Sequence, residues 1–233
     1  MDVAGSNTVV LLHGLARGAA SMEPMARALA GAGFQSVNRD YPSTSATVAD
    51  LADATIGAAL SEQNGASVVH FVTHSLGGIL VRAYAARHGA KKLGRVVMLG
   101  PPNSGSQLVD MLRDLPAFGW TMGPAGGELG TDGESLVNSL GPANFETGII
   151  AGTVSLNPLY SSVIDGPNDG KVAVDATRLD GMADHLTLPV SHTWMMMNPL
   201  VMAQTIAFIR HGRFSRALGY GEAVQQLLVQ PRA

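Results

Sequence analysis

From Thr8 onward, short apolar runs rich in β-branched residues alternate with segments whose apolar residues recur at helical spacing. The runs at 8–12, 34–39, 67–72 and 95–99 predict strands, and the segments at 21–29, 48–60 and 76–88 predict helices. Strands that are apolar on both faces and alternate with helices are typical of a parallel sheet covered on both sides. We therefore expect an α/β fold with a mostly parallel central sheet.

The pattern loosens between residues 104 and 146, where helix-like pieces at 107–115 and 135–140 lie among Pro and Gly. It resumes with a predicted strand at 147–154, a short element beginning at 171, and helices at 198–210 and 222–230. No internal repeat or linker divides the 233 residues, a length that fits one large domain. We expect a single domain over residues 1–233, with the 104–146 segment as a surface excursion or a small cap over a site.

Composition excludes several classes of function. The net charge is −3 and the sequence pI is about 6.1, whereas a nucleic-acid-binding protein needs a basic face. Cysteine is absent, which excludes disulfides, thiolate zinc sites and cysteine nucleophiles. No stretch approaches the ~18 apolar residues of a membrane span. Residues 1–6 lack the basic and apolar regions of a signal peptide, which favours a cytoplasmic location and leaves a secreted mature form open.

The segment Thr73-His74-Ser75-Leu76-Gly77 lies between a predicted strand and a predicted helix. This is the context of the nucleophile elbow G-x-S-x-G, in which a sharp turn exposes the serine above the sheet edge. Thr73 replaces the first glycine of that pattern. We predict that Ser75 is a catalytic nucleophile; the alternative is an ordinary helix N-cap.

A serine nucleophile needs a base, and the chain has 7 histidines. His192 lies in a loop before the last long helix and follows Ser75 in the chain, the order that enzymes with this elbow use. His185 precedes a short apolar run and is interpreted as a surface residue. Asp165 and Asp169 lie between nucleophile and base, and Asp169, followed by Gly170, is the better candidate to orient the histidine.

An oxyanion needs two donors beside the nucleophile. The loop His13-Gly14-Leu15 follows the first predicted strand and opens at the same sheet edge as Ser75. We expect the backbone N–H groups of Leu15 and Leu76 to supply the donors, with His13 as a structural turn residue.

Apolar side chains are predicted to line a substrate pocket. Met195 and Trp194 follow the base, and Trp120, Met122 and Phe118 lie in the 104–146 segment. Met adapts to varied apolar partners, and ligand sites are rich in aromatic side chains. No charged residue falls between His192 and Leu200, so this stretch would not recognise an anionic acyl chain.

Together these motifs resemble the α/β-hydrolases of the bacterial lipase and esterase type. The resemblance rests on His13-Gly14, Tyr41-Pro42-Ser43, Thr73-His74-Ser75-Leu76-Gly77-Gly78, Pro102-Asn103-Ser104-Gly105-Ser106, Asn168-Asp169-Gly170-Lys171-Val172 and Ser191-His192-Thr193. It implies an α/β-hydrolase fold with Ser75 as nucleophile, Asp169 as acid and His192 as base. It also implies ester hydrolysis through an acyl-enzyme, without a cofactor or metal.

The 104–146 segment is small for a lipase lid, so we expect hydrolysis of neutral short- to medium-chain acyl esters. The substrate would be a small-molecule ester or lipid. Alternatives are an acyltransferase with the same triad, a lipase acting on longer triglycerides, a catalytically silent binding protein, and a cofactor-free peroxidase or carbon–carbon hydrolase.

Overall fold

A computed structural model describes residues 7–63 and 67–229, so the N-terminal residues 1–6 and Gln230 of the last predicted helix lie outside the described residues. Six strands form one sheet in the order β2-β1-β3-β4-β5-β6, and every neighbouring pair is parallel. The strands are β1 Thr8–Leu12, β2 Gln35–Arg39, β3 Val69–His74, β4 Leu93–Leu99, β5 Thr147–Gly152 and β6 Asp184–Leu188. The predicted α/β class with a parallel central sheet is confirmed.

The helices cover both faces of this sheet. They are α1 Glu23–Gly31, α2 Val48–Glu62, α3 Leu76–His88, α4 Gln107–Leu112, α5 Pro116–Gly127, α6 Leu136–Ser139, α7 Pro158–Ser161, α8 Pro199–His211 and α9 Tyr220–Val229. Short 3-10 turns lie at Ala19–Met22, Asp175–Thr177 and Met195–Met197. Within the described residues, no helix has an apolar stretch long enough to cross a bilayer.

Alternate residues of each strand enter two different cores, because successive side chains of a strand point to opposite faces. Val10 and Phe71 are fully buried in the core that contains residues of α2 and α3. Val9 and Val72 are fully buried in the core that contains residues of α1 and α8. The runs are therefore apolar throughout because both faces of the sheet are covered.

The strand order places a crevice at the carboxyl ends of β1 and β3. β2 pairs on one side of β1 and β3 on the other, so the chain crosses back over β1 between β2 and β3 and the strand order reverses there. Ligands of parallel α/β sheets bind at such a reversal. The loops after Leu12 and His74 open at this point, and they carry the predicted oxyanion loop and elbow.

Three of the helices and strands were not predicted, namely α5, β6 and the single turn α7. α5 consists of two short helices joined by a kink at Gly123, which has φ 63°. Gly123 and Pro124 disfavour helix, so the sequence pattern did not predict these two helices. β6 is a polar edge strand, and its His185 is half-buried, with Nε2 2.9 Å from the Thr177 hydroxyl, instead of the surface residue expected. The short element expected at residue 171 is a loop that leads into a 3-10 turn.

The 104–146 segment is tied to the sheet domain by Arg82 of α3. Its buried guanidinium donates to the carbonyls of Asn103 at 2.8 Å, Val137 at 3.0 Å and Gly141 at 3.1 Å. Burial lowers the pKa of Arg82 to about 10. Hydrogen bonds from Arg82 to backbone carbonyls therefore hold the segment against α3.

Candidate active site

Ser75 occupies a sharp turn between β3 and α3. Its backbone has φ 51° and ψ −117°, in the positive-φ region that a residue with a side chain rarely adopts. Helix α3 starts at the next residue and passes close to β1: a Cβ on Gly77 would lie 3.0 Å from the Leu12 oxygen and 3.1 Å from the His13 oxygen. Thr73, in place of the pattern's first glycine, is fully buried within β3. The local geometry is that of a nucleophile elbow.

His192 and Asp169 form a buried pair. His192 Nδ1 lies 2.7 Å from Asp169 Oδ2, and the two residues are 3% and 2% exposed. The other carboxylate oxygen accepts the N–H groups of Lys171 at 3.0 Å and Val172 at 2.8 Å. An ionised carboxylate only accepts hydrogen bonds, so Nδ1 carries the proton and Nε2 is left as a basic nitrogen.

Gly100, which follows β4, makes room for this pair. It has φ 54°, and a Cβ there would lie 3.0 Å from Asp169 Oδ2 and 3.1 Å from His192 Nδ1. A larger residue would meet both polar atoms at once. The end of β4 therefore needs glycine for two reasons: the positive φ of residue 100, and the lack of room for a side chain beside Asp169 and His192.

Asp165, the other candidate acid, is held elsewhere. Its carboxylate accepts from Gln107 Nε2 at 2.7 Å, and its N–H donates to Gln107 Oε1 at 2.8 Å. Asp165 is exposed, whereas Asp169 is buried against the histidine. The structure brings Asp169, and not Asp165, together with His192.

Ser75 and His192 line one cavity of about 400 Å³. Its apolar wall comes from the residues after β4, namely Pro102, Leu108, Val109, Leu112, Phe118, Met122 and Leu129. Leu15, Ala16, Arg17, His74, Tyr160 and Lys171 complete most of the remainder. Ser75, His192 and an apolar surface thus meet in one cavity, as in most small-molecule sites.

A family model for the alpha/beta hydrolase fold matches residues 7–123. The chain belongs to the α/β-hydrolase fold family. A search of curated protein sequences finds no significant match.

Solved structures similar to this α/β-hydrolase include lipases and esterases. The mature form of the Bacillus licheniformis lipase BlEst2 is 19% identical, with a TM-score of 0.70 over 88% of this chain and 93% of that one. Phospholipase PlaB from Legionella pneumophila is 18% identical (TM-score 0.68, 96% of this chain and 59% of that one). The metagenomic carboxyl esterase MGS0156 is 17% identical (TM-score 0.66, 97% and 75%). At these identities the similarity supports the fold.

The predicted oxyanion donors of this α/β-hydrolase lie beside the elbow. Leu76 is the first residue of α3, so its N–H has no acceptor within the helix. The N–H of Leu15 donates to no acceptor in the described part of the chain. The next residue, Ala16, has φ 53° and donates its N–H to the Ser43 hydroxyl at 3.0 Å.

His13 has the structural position expected for it. Its ring is fully buried and stacks on Tyr41 with 4.2 Å between ring centroids. The Tyr41 hydroxyl donates to the His13 carbonyl at 2.7 Å. The loop that carries Leu15 is therefore fixed to the end of β2.

The pocket predictions need correction in part. Phe118 and Met122 line the cavity, because residues one helical turn apart share a face. Trp120 lies between them on the opposite face and is 87% exposed. Trp194 is 55% exposed, and Met195 is buried in the core with α1 and α8, because the 3-10 turn at Met195–Met197 directs the chain inward.

His74, directly before Ser75, also lines the cavity and contacts the backbone of His192. Its Nε2 lies 2.9 Å from the His192 carbonyl, and the two rings are 4.7 Å apart. Because a carbonyl only accepts, Nε2 is protonated; Nδ1 is buried without a partner among the described residues. Burial, and then the charge of His192, lower the pKa of His74 well below its usual value, so His74 is neutral. Its position beside the elbow was the only sequence signal.

Proposed function

We propose that this α/β-hydrolase is a serine carboxylic-ester hydrolase that acts through an acyl-enzyme. One observation supports this most strongly: the strained turn at Ser75 opens into the same cavity as His192, whose Nδ1 is bound by Asp169. The solved lipase, phospholipase and esterase neighbours agree with ester hydrolysis as a reaction class.

In the proposed reaction, Ser75 Oγ attacks the ester carbonyl while His192 Nε2 takes its proton. Collapse of the tetrahedral intermediate breaks the bond to the alcohol, which leaves with the proton from His192. Water then attacks the acyl-enzyme, with His192 again acting as base, and releases the acid and free Ser75. Asp169 keeps the histidine in the required tautomer and stabilises the imidazolium.

The N–H groups of Leu15 and Leu76 stabilise the negative oxygen of each intermediate. They come from loops at the ends of β1 and β3, and the N-terminus of α3 adds the positive end of its dipole. A preorganised donor of this kind contributes about 10²–10³ in rate.

The acyl group of the proposed substrate is neutral and of short to medium length. The cavity wall that would receive it is apolar, with Leu108, Val109 and Phe118 among its residues. These residues belong to the 104–146 segment, which we propose acts as a small cap on a single hydrolase domain. A cavity of about 400 Å³ holds a short chain more readily than a long one.

Hydrolysis of p-nitrophenyl esters from acetate to palmitate by the wild type and by Ser75→Ala tests the proposal. We expect wild-type kcat/KM to peak at a short or medium chain and Ser75→Ala to be near background on every ester. Failure of the wild type to cleave any ester would overturn the proposal. Transfer of the acyl group to added alcohol in preference to water would point to an acyltransferase.

A further inference from the structure

Two cationic side chains lie in the wall of the catalytic cavity. Arg17 follows the predicted oxyanion loop, and Lys171 follows the predicted acid. Neither forms an ion pair with a carboxylate anywhere in the described residues. Two such cations in a cavity wall are suited to binding an anionic group.

Both side chains line the same cavity, and the charge of one acts on the other. Lys171 as a whole residue is exposed, but loss of water around its ammonium group, and then the charge of Arg17, lower its pKa. Burial also lowers the pKa of Arg17. The carboxylate that acts on Lys171 is Asp169, which is engaged by His192. An anion placed between the cations would relieve this repulsion.

Both cations lie on the side of the cavity that holds the base. Arg17 Nη2 donates to the carbonyl of Thr193, next to His192, at 3.3 Å. Lys171 lines the same cavity, and its backbone N–H donates to Asp169 Oδ1 at 3.0 Å, which places the start of its side chain next to the acid. The apolar wall is supplied instead by residues 102–129. The base protonates the departing alcohol, so the cations face the alcohol part of an ester and the apolar wall faces its acyl part.

We propose that the substrate is an ester whose alcohol part carries an anionic group, a phosphate or a carboxylate, and that Arg17 and Lys171 bind this group. The proposal rests on the proposed ester hydrolysis and adds the class of alcohol. Arginine presents a planar pair of donors to an oxyanion and lysine a point charge, so together they can hold a group with several oxygens.

Matched aryl butyrates test the assignment. The phenol carries a para phosphate, a para carboxylate, the methyl ester of that carboxylate, or a para trimethylammonium group. The readout is the ratio of kcat/KM for each anionic ester to that for the neutral one, compared between wild type and variant, so that differences in leaving-group reactivity cancel. The variants are Arg17→Gln, Lys171→Gln and Arg17→Lys. Lys91→Gln is the control, since Lys91 is exposed just before β4, at the opposite end of the sheet.

Each Gln variant should lower the anionic-to-neutral ratio about tenfold, because a hydrogen bond to a charged group is lost. Arg17→Lys should retain part of the preference, and Lys91→Gln all of it. Adding salt should lower the wild-type ratio and leave the ratio of Lys171→Gln less affected. The phosphate and carboxylate arms identify which anion is preferred. An unchanged ratio in both Gln variants, or an equal fall in Lys91→Gln, would overturn the proposal.

A binding measurement separates this proposal from the catalytic one. Calorimetric titration of Ser75→Ala with phenyl phosphate, benzoate and phenol needs no turnover. Binding of an anion that weakens about tenfold with Arg17→Gln or Lys171→Gln supports the anion site even if no ester is cleaved. Ester cleavage by the wild type, with no anion binding and no anionic preference, would refute the anion site and leave the hydrolase intact.

Discussion

At Ser75 the backbone adopts φ 51° and ψ −117°, a conformation that costs a residue with a side chain about 1–3 kcal/mol. The hydrogen bond from its N–H to Leu99 and the start of α3 at the next residue hold the turn in place. The strain exposes the hydroxyl to the cavity. In the proposed mechanism, stability and catalysis therefore oppose each other at this residue.

Ser75→Gly should be more stable than Ser75→Ala by about 1 kcal/mol in unfolding free energy, because glycine adopts positive φ freely. It should therefore also unfold at a higher temperature. Both variants should lose about 10⁴–10⁶ in kcat. Thermal denaturation followed by circular dichroism gives the first comparison and p-nitrophenyl ester hydrolysis the second. Equal stability of the two variants would show that the turn is not strained.

Asp169→Asn should lower kcat about 10⁴-fold, because the amide permits the wrong tautomer of His192. Asp165→Asn is the matched control: its side chain contacts Gln107, and we expect at most a few-fold change. Steady-state kinetics on one ester compares them. The opposite ranking would transfer the acid role to Asp165.

His74 should make the protein less stable in mild acid. Its folded pKa lies well below that of the unfolded chain, about 6.5, so above pH 6.5 both states are neutral and stability is complete. Below pH 6.5 only the unfolded state takes up the proton, and the unfolding free energy falls by up to about 1.4 kcal/mol per pH unit.

Urea denaturation between pH 7 and pH 5 measures this slope. His74→Gln should flatten it, whereas His211→Gln, at an exposed position, should not. His185, whose pKa is also lowered, chiefly by burial, contributes in all these proteins and leaves a residual slope. An identical slope in His74→Gln would contradict the neutral, buried state of this histidine.

On the scale of elements, the site depends on how strands end. β3 leads into the elbow, β1 into the Leu15 loop and β4 into Gly100. Each of these strands ends at the same sheet edge because the sheet is parallel. The proposed acid–base pair, carried by two loops, therefore packs against Gly100 at the end of β4.

Gly100→Ala should lower kcat/KM about 10²-fold or more, because the added methyl group would push against Asp169 and His192. Gly89→Ala is the control: Gly89 also has positive φ, at 78°, but a Cβ there meets nothing within 4 Å. It should cost about 1 kcal/mol of stability and no activity. Equal activity losses would mean that backbone strain, not contact with the pair, is responsible.

The elements that sequence alone predicts best are those with one dominant signal. β1 and α3 have the predicted bounds, since an uninterrupted apolar run and a flanking Gly89 mark them. α5 was missed because its Gly and Pro resemble a loop, although packing over the cavity keeps it helical. β6 was missed because Asp184, His185 and Thr187 interrupt its apolar residues, and only its pairing with β5 defines it.

On the scale of the whole molecule, the 104–146 segment is fastened to the sheet domain at several points. Arg82 binds the Val137 and Gly141 carbonyls, Glu128 accepts the Val48 N–H at 2.7 Å, and the Ala125 N–H donates to Ala46. A segment held by such contacts is poorly suited to opening as a large lid.

The rate should therefore change little when a short-chain ester passes from monomers to an emulsion, and it should fall with long acyl chains. Hydrolysis of tributyrin and triolein, measured by acid release across the solubility limit of tributyrin, tests this. A sharp rise at the interface, or a preference for triolein, would show that the 104–146 segment works as a lid.

Chain order and local motifs were sufficient to predict Ser75, Asp169 and His192 as site residues. Each of them belongs to a short motif in a loop, and such motifs are visible in the sequence. They could not reveal Arg17, His74 or Lys171 as cavity residues, since that depends on side-chain direction at three separate loops. They also misplaced Trp120, because the helix that turns it outward was not recognised. Local chemistry is readable from the sequence; the composition of a cavity wall is a property of the packed molecule.

The most direct test of the central claim is covalent labelling with a fluorophosphonate, which reacts with an activated serine. Intact-mass spectrometry should show one adduct per wild-type chain, peptide mapping should place it on Ser75, and Ser75→Ala should remain unlabelled. Asp169→Asn should label much more slowly, because the base is mispositioned. A wild-type protein that stays unlabelled, or an adduct on another residue, would contradict the account.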